Sequence, residues 1–352
     1  MPSLPPVAEL PRWIQGHPQS RKIVRAYNLC LGLESWVQRE AGFRGKQKDE
    51  ALIKCRILGY LFHHFPSYDI GPFVREIVTI SGQHEALLDL GELFYVYFIK
   101  LFMFNKGDTP EPSSHPSRQS VDDLVAKIKD ELEDAPQNHS TAKKKALIRD
   151  GFQCVVTKAY DREIMYENKA VRQAVYGGAG VELTHCAHII PESINSDTTS
   201  GLKKEANAWT VFDFFGHGKL LEGLHDASIH RLDNVMTMAV DVHLDFDRLR
   251  IYFTATKVPN RYKLEAIDPI FLFRRPEYVT FSTPDAEKYP LPNPNYLAIH
   301  AACAKVAHLS GAAEHIEEVL RRMEDTLVLA EDGGSSEVLY TAILSSMPAV
   351  AV

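Results

Sequence analysis

The sequence predicts an α+β protein, and three observations carry that expectation. Through residues 21–104, apolar residues recur at helical spacing, as in Ile23, Ala26, Tyr27, Cys30 and Leu31. Residues 181–190 alternate weakly, as a strand does, and stop at Pro191. Helical spacing returns after Asn234, where Val242, Phe246 and Leu249 stand at i, i+4 and i+7, and again in the two stretches 295–309 and 312–325.

In chain order, residues 1–104 read as an N-terminal helical domain. The Pro-rich first 20 residues are expected to fray. The longest apolar run, Leu90 to Phe104, is broken by Glu92 and Lys100. It falls short of the ~20 residues that span a bilayer, so it predicts a buried core helix and no membrane partner. Residues 105–138 form a linker with one helix, which opens at Ser120 and runs to about Glu133.

The next segment, 139–275, begins with a helix opened by Thr141. Its Lys143, Lys144, Lys145 and Arg149 make the exposed side basic, either a solvated face or a phosphate-contacting edge. Cys154–Thr157 predicts a short strand. The run Gly177–Gly180 lacks the G-x-G-x-x-G pattern, which excludes a dinucleotide loop. Period-2 geometry over 181–190 puts Thr184, Cys186 and His188 on one face and His185 and Ala187 on the other. An insertion follows. Its helical middle, 202–215, turns Trp209, Phe212 and Phe215 toward a core. Tyr262–Ile267 predicts another strand. A C-terminal helical extension, 276–330, breaks at Ser310-Gly311, and a mobile tail, 331–352, closes the chain.

Composition narrows the function. The five cysteines are odd in number and scattered with no C-x-x-C, which fits reduced thiols. The start lacks a basic stretch followed by an apolar core, so the expected place is intracellular, nucleus or cytoplasm, and not secreted. A net charge of −7 argues against generic nucleic-acid binding, yet residues 139–275 hold 19 Lys+Arg against 17 Asp+Glu. The acidic flanking segments offer a surface for a protein partner. No G-x-S-x-G occurs, which argues against a serine hydrolase.

The chemistry concentrates in 184–247. His243 and Asp247 are four apart on a helix and point off one face, where an imidazole and a carboxylate can grip one divalent cation. His188 closes a strand, and a neutral imidazole with a pKa near ~6.5 suits a general base. Asn234 is placed to hydrogen-bond the loop carrying His188. Three residues far apart in the chain are expected to converge around one cation, Mg or Mn, with Zn possible: His243 and Asp247 would hold it, and His188 would face them from the same side of its sheet. His185 and Cys186 beside Cys154 lack the four-ligand spacing of a zinc site.

The combination Ala187-His188-Ile189-Ile190-Pro191, then Asp233-Asn234, then His243-x-x-Phe246-Asp247 resembles the HNH nuclease domain in its fungal-type form. The flanks Gly151–Thr157, Leu291–Pro294 and Ser310–Ala312 add to the likeness, which covers about residues 140–325. The resemblance implies a ββα-metal core with a small antiparallel sheet, flanked by the N-terminal helical domain and the C-terminal helices. It also implies a metal-dependent endonuclease that hydrolyses phosphodiester bonds in DNA or RNA. In that family His188, Asn234 and His243 would be the residues that name the motif. Two departures stand out. Ala187 occupies the position where many such enzymes carry an acidic ligand, and no C-x-x-C zinc knuckles are present. The rival expectation is therefore a catalytically inactive HNH-fold scaffold that binds nucleic acid or protein.

Overall fold

A computed structural model describes residues 2–66, 69–103, 138–195, 208–216, 224 and 226–325. The predicted helix from Ser120, the start of the 202–215 helix and the tail 331–352 lie outside these residues. The architecture is α+β with small sheets. The chain forms two compact units. The first comprises Met1–Asn105, Ser196–Glu222 and Ala301–Val352; the second comprises Lys106–Asn195 and Gly223–His300.

The first unit is helical. Its long helices, Ser20–Arg39 and Gly45–His63, bury Ile23, Tyr27, Cys30, Leu33, Ile57, Leu58 and Leu61 against one another, as their spacing dictates. The Pro-rich start does not fray, correcting the expectation. Leu4, Leu10 and Ile14 are buried, the Leu4 amide donates to Glu34 Oε2 at 3.0 Å, and the Tyr27 hydroxyl donates to the Pro5 carbonyl. Gly59 makes room for this: a Cβ there would come within 2.3 Å of the Leu4 side chain. The apolar run is a buried helix, as expected, but its His84–Phe94 part passes into a π-helical segment, Tyr95–Lys100. Helix Ala208–Phe214, inside the predicted 139–275 segment, groups with this unit. Phe215 packs there at 4.9 Å from Phe98 and 5.9 Å from Phe94, ring centre to ring centre.

The seven strands among the described residues all lie in the second unit. β1 (Tyr160–Asp161) and β2 (Val181–Glu182) pair in parallel. β3 (Thr184–His188) and β4 (Val235–Ala239) pair antiparallel, with Thr184 opposite Ala239 and His188 opposite Val235. β5 (Ile251–Ala255), β6 (Arg261–Ala266) and β7 (Tyr278–Thr280) form an antiparallel meander. Two short expectations change. Cys154–Thr157 is a turn, whose Val155 amide donates to the Thr237 carbonyl at 2.9 Å. Asn234 leads first into β4, and the helix begins only at Val240.

Two helices sandwich the β3–β4 ribbon. The helix His139–Arg149, capped by the Asn138 side chain, lays Ala142 and Ala146 against Cys186 and Val235. The helix Val240–Asp247 follows β4 directly and packs on both strands through Val242 and Phe246, with Leu249 buried just beyond its end. The predicted apolar stripe is thus the buried one. Further on, Pro294–Ser310 and Ala312–Asp325 are helices separated at Gly311, whose φ of 85° only glycine adopts readily.

Candidate functional site

His188 is the last residue of β3 and is buried. Its Nδ1 lies 3.3 Å from Glu192 Oε1 and its Nε2 3.1 Å from His230 Nδ1. The His139 ring stands 5.8 Å away. Burial pushes the His188 pKa well below its ordinary value, and His230, His139 and His243 push it further the same way. His139 and His230 are lowered as well, chiefly by burial, whereas burial raises Glu192. The imidazoles here are neutral at pH 7 and therefore have lone pairs to offer.

Asn234 is completely buried, and its carboxamide is fully used. Oδ1 accepts from the Ile190 amide at 2.9 Å; Nδ2 donates to the carbonyls of Ile190 at 3.0 Å and Ile229 at 2.9 Å. It therefore ties the segment after His188 to the turn that carries His230.

His243 and Asp247 meet across one helical turn, Nε2 to Oδ2 at 3.2 Å. The second nitrogen of His243, Nδ1, faces His185 Nδ1 at 3.3 Å, with the two rings nearly perpendicular at 89°. Burial, then His243, Lys143 and His139, lowers the His185 pKa, while Asp247 opposes them.

The strand alternation sorts these groups. Cys186 and His188 turn toward the His139–Arg149 helix, and His185 turns toward the Val240–Asp247 helix. The expected direct convergence is not seen: His188 makes its contacts with Glu192 and His230 on the side of the His139–Arg149 helix, and His243 makes its own with His185 and Asp247. The two sets are near enough for His243 to act on His188 electrostatically. The ligand atoms of His139, His188 and Glu192 all lie within 4.8 Å of one another, and neutral nitrogens beside a carboxylate are a donor set that fits a divalent cation. Sequence spacing marks only Glu192, four residues after His188. His139 and His230 are brought in by topology, with no local pattern to announce them.

The basic helix departs from expectation. Lys144 is exposed and Lys143 half-exposed, 3.7 Å from Glu163, but Lys145 and Arg149 are buried. The Arg149 guanidinium grips both oxygens of Asp150 at 2.8 and 3.0 Å and donates to the carbonyls of Leu232, Val235 and Pro290. It is a clasp between helix and ribbon and presents nothing to a phosphate. Cys186 is a buried thiol pushed up to about 12 and offers no thiolate ligand. Among the described residues, no helix is long and apolar enough to cross a membrane.

No curated protein and no solved structure matches this chain. Residues 154–254 match the model of an HNH endonuclease family, and that stretch holds His185, His188, Glu192, His230, Asn234, His243 and Asp247 while leaving out His139. Residues 154–254 are thereby supported as an HNH nuclease domain.

Proposed function

We propose that this protein is a metal-dependent endonuclease, of the fungal-type HNH class, that hydrolyses phosphodiester bonds in DNA or RNA. β3, β4 and the Val240–Asp247 helix would be its ββα-metal core. The observation that carries the reading is the Asn234 clamp: a buried asparagine locks the segment after a neutral, strand-terminal histidine, next to a helix bearing a His–Asp pair.

In this mechanism His188 Nδ1–H donates to the Glu192 carboxylate, which leaves Nε2 as the basic atom. His230 Nδ1 covers that atom until substrate arrives. His188 takes a proton from water as the water oxygen bonds to phosphorus; the bond from phosphorus to the leaving oxygen breaks, and that oxygen is reprotonated from solvent. His243 and Asp247 form the cation-holding end. The bound cation, Mg, Mn or Zn, would polarise the phosphate and offset charge on the leaving oxygen. Lys143 and Lys144 remain from the basic helix to steer phosphate.

The test is cleavage of plasmid DNA and of RNA by purified protein with Mg or Mn. His188→Ala should slow cleavage by about 100- to 10,000-fold. Because its pKa is depressed, the acidic limb of the wild-type rate profile should lie below pH ~6.5. Wild type and His188→Ala equally inert with every metal would end the proposal. One observation favours the rival scaffold reading: Ala187 is fully buried and carries no donor atom. Nucleic-acid or acidic-surface protein binding without metal uptake would support that rival.

A further inference from the structure

The missing donor at Ala187 directs attention along the same strand face. Two residues earlier, His185 shares that face and reaches the helix. Its Nδ1 stands 3.3 Å from His243 Nδ1. His243 gives its other nitrogen to Asp247 at 3.2 Å. An imidazole whose Nε2–H is taken by a carboxylate presents a bare lone pair at Nδ1. Two nitrogens bound to one tetrahedral cation at about 2.0–2.1 Å stand about 3.3 Å apart, which is the spacing of this pair.

We propose that His185 is the strand-side metal ligand of this chain, in place of Ala187, and that Asp247 acts from behind His243 by orienting its ring. This rests on the endonuclease reading above and alters it at one point. A single imidazole cannot turn both nitrogens to one ion, so Asp247 stands outside the coordination sphere. Two imidazole nitrogen donors also shift the preference from Mg, which takes oxygen, toward Mn, Co or Zn.

The full-length chain, loaded with one equivalent of Mn, would be studied by pulsed electron paramagnetic resonance and by calorimetry. The wild type should show two imidazole nitrogens coupled to Mn. His185→Ala should show one. His185→Gln, which keeps the volume without an imidazole, should also show one, guarding against misfolding of the first variant. Asp247→Asn should keep both nitrogens while weakening affinity by about 10- to 100-fold. Two nitrogens in both His185 variants would overturn the assignment. So would loss of a nitrogen in His139→Ala instead, which would move the ion to His139, His188 and Glu192. Failure of wild type to bind Mn would overturn it too. Two nitrogens without any cleavage would keep the ligand assignment and refute the endonuclease; normal cleavage with His185 variants unchanged in nitrogen count would do the reverse.

Discussion

The carboxamide of Asn234 shows how one side chain can hold a reactive loop in register. Its three bonds satisfy one amide and two carbonyls of buried residues, Ile190 and Ile229. Asn234→Ala leaves these groups unpaired, at about 1–3 kcal/mol each before relaxation. A net loss of about 3 kcal/mol is expected, within the 5–15 kcal/mol that ordinary domains possess. The variant should therefore keep its circular dichroism spectrum, melt earlier and cleave about 100-fold more slowly, since a shift of about 1 Å in a base costs that much. A spectrum of an unfolded chain would show that the clamp is structural before it is catalytic. The sequence singles out His188, Asn234, His243 and Asp247 because each sits in a short local pattern. His230 and His139 carry no such pattern, because folding brings them to His188 from separate elements, and Glu192 is marked only by its i+4 spacing from His188.

At the level of elements, the helix Val240–Asp247 was readable from its stripe, and Val242, Phe246 and Leu249 are indeed buried. β4 was not readable, because all five residues of Val235–Ala239 are buried and show no alternation. The basic helix departs from its sequence pattern for a different reason: a charged side chain need not lie at the surface. Arg149 and Lys145 lie inside, and Arg149 is held by a carboxylate and three carbonyls. Arg149→Met would strand the buried Asp150 charge, at about 3–5 kcal/mol. Lys144→Ala should leave stability within about 0.5 kcal/mol and lower the salt slope of nucleic-acid binding by about 1. Urea unfolding and a salt titration of binding would check both. Equal stability of the two variants would refute the clasp.

Across the whole molecule, histidines kept neutral by burial tie stability to pH. His64 is pushed down to about 4 and His300 to about 3, and His188, His139, His230 and His185 are all lowered. Below pH ~6.5 the unfolded chain takes up protons that these folded imidazoles refuse, so stability falls as pH drops through that window. For a fully buried group such as His300 the loss approaches about 1.4 kcal/mol per pH unit. Tm should decline between pH 7 and pH 5, and less steeply in His300→Gln, which can still donate to the Phe246 carbonyl. A Tm unchanged across that range would contradict the neutral assignment.

The path of the chain between β3 and β4 has one more consequence. Between β3 and β4 lies the helix Ala208–Phe214, which groups with the helical unit, with Phe212 and Phe215 buried there. The stretch matched by the HNH family model therefore contains a helix that groups with the other unit. Cut out at the boundaries of the family match, it would trail two greasy aromatic anchors with nowhere to bury them.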